Sequence, residues 1–156
     1  MVAIVSIGGY ILHRKSLAVV DDNQPAEVRI AGDGQAGGIE INGPDGNVRF
    51  GSSAGTGLPA WMPAYPGATI RGNMVGQRGK EAQDNSTFKT KDSPVQVISF
   101  YENHFKGAGF EILSVAKTDV NGSLSGLSAD RKRTVAIVAG TSDEGTEVGV
   151  SVIETK

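Results

Sequence analysis

The clearest pattern of apolar and polar positions along the chain lies between residues 93 and 109. Apolar residues recur there at steps of three and four, which places them on one stripe of a helix: Val97, Ile98, Tyr101, Phe105 and Ala108. Ser93 and Gln96 match a capping box, and the proline between them suits the first helical position. Gly107 and Gly109 supply the stop signal. The pattern predicts one amphipathic helix, which must bury its stripe to be stable.

Alternation with a period of two predicts the strands. Two runs precede the helix and four follow it: Ala68–Val75, Ser86–Thr90, Phe110–Thr118, Ser123–Ser128, Thr134–Gly140 and Thr146–Ile153. In the last run, Val148, Val150 and Val152 point one way and polar or small residues the other. The run Thr134–Ala139 is apolar on both faces, so we expect it inside the sheet. Short connections with turn signals predict that the last four strands form a meander.

These elements define the expected fold class, an α+β domain. We expect an antiparallel sheet of about five to six strands with one main helix packed on one face, in the order β-β-α-β-β-β-β. Further upstream, Glu27–Ala31, Gly38–Ile41 and Asn47–Phe50 read as short strands. The turn Gly43-Pro44-Asp45-Gly46 joins two of them, because proline fixes φ and glycine frees it. A small β-hairpin arm is therefore expected before the main domain.

The chain divides into three expected regions. Residues 1–20 form an apolar N-terminal segment, residues 21–58 a glycine-rich arm with the β-hairpin and two linkers, and residues 59–156 the α+β domain. The first twelve residues carry no charge and lead into His13-Arg14-Lys15, but a spanning helix needs about 20 apolar residues. Three interpretations stay open: part of a membrane anchor whose upstream portion is missing from the sequence, a buried strand, or a short interfacial anchor or reduced signal.

Composition narrows the possible partners and chemistry. The net charge is −2, which gives no general attraction to nucleic acid, so no nucleic-acid partner is expected. The chain has no cysteine, which excludes disulfides, thiol catalysis and zinc–thiolate sites. His104 is the obvious acid/base candidate, but no carboxylate partner is evident at helical spacing. We therefore predict no catalytic residues, no metal ligands and no cofactor.

Several short motifs resemble those of a known group of proteins. They are the YPGA-type run Pro63–Ala68, the F-x-T-x-D run Phe88–Ser93, the V-x-x-F-Y run Val97–Tyr101 and the pair Gly109-Phe110. This pattern resembles an uncharacterised group of bacterial envelope proteins, over about residues 59–153. The resemblance implies an N-terminal membrane segment or lipoprotein signal and an extracytoplasmic domain. It implies no catalytic residues, so none is carried over to this chain.

Two function classes follow from these observations, and a third stays open. The first is a non-catalytic, membrane-associated envelope domain that contacts a protein partner, as an accessory subunit of a membrane complex, with residues 1–20 facing the membrane. The alternative is a soluble small-ligand binding domain that uses the sheet face or the gap beneath the segment Trp61–Tyr65. The third is an enzyme with a site assembled from distant residues. The candidate contact surface consists of Trp61, Tyr65, Phe100, Arg131, Lys132 and Arg133.

Overall fold

The computed structural model describes residues 16–21, 24–31, 38–44, 46–51 and 58–156. Its elements are β1 (Ser16–Asp21), β2 (Gln24–Ala31), β3 (Gly38–Gly43), β4 (Gly46–Gly51), β5 (Thr69–Arg78), β6 (Glu81–Thr90), α1 (Pro94–Gly107), β7 (Glu111–Lys117), β8 (Asn121–Leu127), β9 (Arg133–Ser142) and β10 (Gly145–Thr155). Of the apolar segment, residues 16–20 lie in β1 and residues 1–15 fall outside the described part. Most of the two expected linkers, 32–37 and 52–57, also falls outside it.

The helix is confirmed together with its caps. Ser93 accepts a hydrogen bond from the backbone N–H of Gln96, and the Gln96 side chain accepts one from the backbone N–H of Ser93. Pro94 stands at the start of the helix, where its missing N–H costs nothing. Beyond the end of the helix, Gly109 adopts a φ of 77°. These local signals fix both helix ends from sequence alone.

All described strands join one antiparallel sheet in the order β1-β2-β3-β4-β5-β6-β10-β9-β8-β7. The expected order of the C-terminal part is confirmed, since β5 and β6 precede α1 and the remaining four strands follow it as a meander. The pairing of β6 with β10 joins the two strands before the helix to the four strands after it, with Phe88 opposite Val148. The sheet therefore forms one hydrogen-bonded surface, although its strands come from both sides of the helix.

The predicted size of the sheet was wrong, because the described residues alone form ten strands rather than five to six. The hairpin of β3 and β4 is present, but it does not stand apart as an arm. Strand β5 extends to Arg78, beyond the predicted Val75, and β4 pairs with it from Asn47↔Gln77 to Gly51↔Asn73. An unpaired β5 edge would leave its backbone N–H and C=O groups free, and β4 satisfies them.

The core lies between the helix and one face of the sheet, which we call the inner face. Four helix residues there, Val97, Ile98, Tyr101 and Phe105, have no exposed side-chain surface. They pack on β7, β8 and β9. The sheet contributes Leu124, Val135, Ile137, Ala139, Val148, Val150 and Val152. Each fully buried residue of this size contributes about 1.5–3 kcal/mol to folding, so this interface dominates the stability of the chain.

Apolar residues change face at a bulge in β5. Ile70 lies opposite Phe88 on the inner face, but Gly72 lies opposite Thr87, so Arg71 is an extra residue. Beyond Arg71 the phase of the strand is inverted, because side chains alternate between faces with a period of two. Met74 therefore lies on the opposite, outer face. Residues that lie opposite each other on neighbouring strands point to the same face. Phe50 lies opposite Met74, and Ile39 lies opposite Phe50, so both also point to the outer face.

The interior position predicted for Thr134–Ala139 is confirmed, because β9 lies between β8 and β10. Its two faces differ, however. Val135 and Ile137 are buried on the inner face, whereas Val138 on the outer face is 60% exposed. Within the described residues, no helix is long and apolar enough to cross a membrane.

Candidate functional site

Residues 58–68 form an extended segment that we call the aromatic strap. Its prolines at 59, 63 and 66 push the residue before each of them away from helical backbone angles. Two turns shape the segment: the N–H of Met62 donates to the carbonyl of Pro59 at 2.9 Å, and the N–H of Ala68 donates to that of Tyr65 at 3.2 Å. Met62 and Tyr65 are both buried in the core. The strap therefore covers the part of the inner face that the helix leaves open.

Tyr65 fixes one end of the strap. Its ring stacks on Phe88 at a centroid distance of 5.7 Å and meets the ring of Phe100 edge-on at 5.0 Å. Its hydroxyl donates to Asp92 Oδ2 at 2.7 Å. Burial, followed by this hydrogen bond, raises the pKa of Tyr65 above its ordinary value. Tyr65 is therefore a neutral hydrogen-bond donor that ties the strap to the start of the helix.

Trp61 fixes the other end. Its ring stacks on Phe110 at 5.7 Å, and the Arg133 guanidinium lies 5.1 Å from its centroid, within the range of a cation–π contact. Arg133 Nε donates to Glu154 Oε1 at 3.0 Å, while the indole N–H approaches Glu154 Oε2 only at 3.5 Å. The polar contact at this end of the strap is thus the weaker of the two.

Two hydroxyls are buried close to the strap without a hydrogen-bond partner among the described residues. Ser86 belongs to β6, between the Tyr65 contact at Phe88 and the Trp61 contact at Glu154, and is 1% exposed. Tyr101 belongs to the helix, is 0% exposed, and its ring lies 6.1 Å from that of Tyr65. Both hydroxyl oxygens are unpaired among the described residues, as is Nδ2 of Asn85, the next residue back in β6, whose side chain has the outward phase. An unpaired buried hydroxyl costs about 1–3 kcal/mol, so the fold carries a penalty here that a bound polar atom would remove.

The surrounding groups give this region a mixed polar and apolar character. Val150 lies opposite Ser86 and Val152 opposite Asp84, so the floor is aliphatic on β10 and polar on β6. Burial, followed by the charge of Glu154, raises the pKa of Asp84 above its ordinary value. Burial likewise raises the pKa of Tyr101, with Tyr65 as a smaller contributor. An apolar surface with a few convergent polar groups is typical of small-molecule sites.

The structure brings together four of the six candidate contact residues. Trp61, Tyr65, Phe100 and Arg133 meet at the strap, where the aromatic rings are buried or partly buried. Arg131 and Lys132 lie apart from it, exposed on the turn between β8 and β9, where Arg131 adopts a φ of 57°. The role of the six residues as a surface for a partner stays a prediction.

Sequence reasoning missed the two hydroxyls. Tyr101 was counted only as an apolar member of the helix stripe, although its hydroxyl needs a partner when the ring is buried. Ser86 shares the inward phase of the buried Phe88, and a serine at such an inward position is the available signal. His104 is exposed on the helix. In the part of the chain that the structure describes, no three acidic or histidine side chains converge to hold a metal ion.

Comparison with known proteins gives a family. A family model described as START domain-like matches residues 71–148, which is half of the chain. The matched part runs from the β5 bulge to β10 and includes the helix. The chain belongs to the START domain-like family. No curated protein and no solved structure matches it significantly.

Proposed function

We propose that this chain is a non-catalytic domain that binds a small, largely apolar ligand on the inner face, beneath the aromatic strap. The ligand carries a hydrogen-bonding group that meets the hydroxyls of Ser86 and Tyr101. Membership of the START domain-like family supports a ligand-binding function, because domains of this kind are typically ligand-binding rather than catalytic. The proposal takes up the alternative hypothesis from the sequence, which placed a ligand in the gap beneath Trp61–Tyr65.

The observation that carries the proposal is the pair of unpaired hydroxyls. Buried polar groups in folded proteins nearly always have a partner, so two unpaired hydroxyls at one covered surface call for an explanation. A ligand carbonyl or hydroxyl supplies the missing partner, while the aliphatic floor at Val150 and Val152 suits the rest of the molecule. Specificity would come from the hydroxyls and affinity from apolar burial.

The ligand reaches this surface by displacing the strap. In the described structure, Met62 and Tyr65 occupy the inner face, so binding requires the strap to lift. Its Trp61 end is the weaker point, since the indole N–H lies 3.5 Å from Glu154. Beside it, Val75 is 39% exposed and lies opposite Asp84, which leaves the β5 side open for entry. Lifting the strap from its Trp61 end toward Tyr65 opens the surface between β6 and β10.

The fluorescence of Trp61 can report the displacement of the strap. Trp61 is the single tryptophan, and it belongs to the strap. Titration with Nile red, an uncharged apolar dye with a carbonyl acceptor, should change the emission of Trp61 and saturate at one dye per chain. A dye that gains fluorescence without any change at Trp61 binds elsewhere, and that result contradicts the proposal.

Matched variants separate the proposed site from other apolar surfaces. Tyr101→Phe and Ser86→Ala keep the shape of the core but remove the hydroxyls, so each should weaken dye binding several-fold. Val138→Thr changes an exposed residue on the outer face and should leave dye binding unchanged. Unaltered binding in both hydroxyl variants, with the fold intact by circular dichroism, would show that the hydroxyls hold no ligand.

A second candidate function is contact with a protein partner at the membrane of the cell envelope. The observation that favours it is apolar exposure on the outer face of β3 and β4, where the register partners Ile39 and Phe50 are 43% and 40% exposed. Exposed apolar patches often mark protein contacts. Fractionation of cells that produce the native chain tests the placement. Recovery with the envelope supports this function, and wholly soluble cytoplasmic recovery contradicts it.

A further inference from the structure

A depression of about 390 Å³ lies where β5 begins and β6 ends, on the outer face beside the C-terminal end of the strap. It is open to solvent, and its lining includes three basic residues, Arg71, Lys89 and Lys91, together with Thr69. Asp92 and Glu144 are the acidic residues of the same lining. Three basic and two acidic residues leave a local excess of one positive charge, in a chain whose net charge is −2. We call it the cationic pocket.

The β5 bulge places Arg71 in the cationic pocket. Thr69 and Lys89 are register partners, and Lys89 alternates with the buried Phe88 and Thr90, so it points to the outer face. Arg71 is the extra residue of the bulge and has no register partner on β6. Bulges re-aim side chains and occur often beside binding sites. Here the bulge turns the guanidinium toward the same carboxylate that Lys89 contacts.

That carboxylate belongs to Glu144, on the turn between β9 and β10. Lys89 Nζ lies 2.8 Å and Arg71 Nη2 3.5 Å from the same oxygen, Glu144 Oε2. The Glu144 side chain is 67% exposed, whereas that of Lys89 is only 23% exposed. The hydrogen bond from Lys89, assisted by both positive charges, lowers the pKa of Glu144 below its ordinary value. Glu144 thus lies exposed on a turn and Lys89 is largely covered on its strand, while the Arg71 side chain is itself about half exposed.

We propose that the cationic pocket binds a phosphate group, with Glu144 occupying the phosphate position in the unliganded chain. Exposed ion pairs contribute little to stability, so an incoming anion displaces the Glu144 side chain at small cost. Once Glu144 has moved out, three cations face the single carboxylate of Asp92, which already accepts the Tyr65 hydroxyl. The resulting local charge suits a phosphate group, which carries about −1.5 to −2 at neutral pH. Arginine and lysine together are the usual phosphate ligands in proteins.

Nuclear magnetic resonance of the isotope-labelled full chain tests this proposal. Inorganic phosphate is added at constant ionic strength, with chloride making up the balance. We expect saturable shifts confined to the backbone amides of residues 69–71, 89–92 and 143–145. Glu144→Gln should bind phosphate several-fold more tightly, because the competing charge is removed. Arg71→Ala should weaken binding by about tenfold, as expected for the loss of a charge-assisted hydrogen bond.

Lys80→Ala serves as the matched control. Lys80 is exposed on the turn between β5 and β6, at the far end of the same two strands, and its substitution should leave phosphate binding unchanged. The absence of saturable shifts in both the native chain and Glu144→Gln overturns the proposal. Shifts that Arg71→Ala leaves unaltered overturn it equally.

A phosphate group reaches the pocket either on a soluble compound or on a lipid headgroup. Sedimentation with phosphatidylcholine vesicles, with and without phosphatidic acid, separates these sources. Sedimentation that needs phosphatidic acid and is lost in Arg71→Ala assigns the headgroup. Phosphate shifts without sedimentation assign a soluble phosphate compound. Pro66 and Gly67 belong both to the strap and to the lining of the cationic pocket, but the two proposals are read separately. Nile red carries no charge and is followed at Trp61, whereas phosphate is followed at residues 69–71, 89–92 and 143–145.

Discussion

The two halves of the sheet are joined by the same kind of hydrogen bonding but are packed differently. In β6, β9 and β10 a continuous set of apolar side chains points to the inner face and is buried by the helix and the strap: Phe88, Val135, Ile137, Val148, Val150 and Val152. In β3 and β4 they point to the outer face, where Ile39 and Phe50 are 43% and 40% exposed. A continuous ladder therefore does not imply a continuous core. Stability should follow the burial of side chains rather than the number of backbone hydrogen bonds.

The largest expected difference is between two phenylalanines. Phe105 has no exposed surface in the helix, and Phe105→Ala should lower the free energy of unfolding by about 3–5 kcal/mol. Phe50→Ala, on the outer face of β4, should lower it by less than about 1 kcal/mol. Urea denaturation followed by circular dichroism measures both. If Phe50→Ala costs as much as Phe105→Ala, the outer face is covered in solution and the contrast between the halves fails.

Hydrogen exchange compares the halves without mutation. Strands β3 and β10 are both paired on two sides, so their amides are equally hydrogen-bonded. If packing controls local opening, the hydrogen-bonded amides of β10 should exchange about a hundredfold more slowly than those of β3. Mass spectrometry or nuclear magnetic resonance gives the rates. Equal protection would mean that the ten strands open as one cooperative unit.

Two glycines sharpen the comparison between the faces. A Cβ at Gly122, on the inner face, would lie 2.6 Å from Ile98 Cγ1, so Gly122→Ala should cost about 1–3 kcal/mol through overpacking. A Cβ at Gly140, one of its neighbours in β9, would meet nothing within 4 Å. Gly140→Ala should therefore change stability by less than about 0.5 kcal/mol. Urea midpoints give both values, and a neutral Gly122→Ala would show that the helix packs loosely on β8.

The smallest expected effect concerns the ionic link between the helix and β7. Hydrogen bonds from Lys106 and then Lys117 lower the pKa of Glu102 to about 2, from an ordinary value of 4.5. Because the folded pKa is the lower one, this stabilisation is complete above pH 4.5 and is lost as the pH falls toward 2. Thermal melts of the native chain and Glu102→Gln should differ slightly near neutral pH and converge in acid. A constant difference at all pH values would exclude the ionic link.

The elements that the sequence predicts best are those specified by neighbouring residues. Ser93 and Gln96 cap the helix across three positions, so nothing distant is needed to place its start. The meander is similar, because each short turn pairs strands that are adjacent in the chain. The candidate site, by contrast, depends on contacts between residues that are far apart in the chain. The sequence offers a gap beneath Trp61–Tyr65 as a ligand site, but Ser86 acquires its role there only from the pairing of β6 with β10.

The size of the sheet and the change of face escaped prediction for one physical reason. Alternation along β3 and β4 shows that one side of each strand is apolar, but not which side meets the helix. Which side meets the helix depends on the register of these strands with β5. The extra residue Arg71 shifts that register and so exchanges the two faces beyond it. Without this bulge, Met74 and Phe50 would have shared the face of Ile70. Gly72 is the one local signal, because an isolated glycine within a strand pattern suggests a bulge, but it does not show which residue is extra. The inversion is therefore established by the structure.

The pairing of β10 with both β6 and β9 also orders events during synthesis. Every other described pair joins strands that are consecutive in the chain, so its second strand is available as soon as it leaves the ribosome. Strand β6 must wait for β10, across the helix and three further strands. Until then, the inner-face residues of β6, Phe88 among them, lack the apolar contacts that Val148 and Val150 of β10 provide. We expect the nascent chain to need protection during this interval, and long-range closure to set its folding rate.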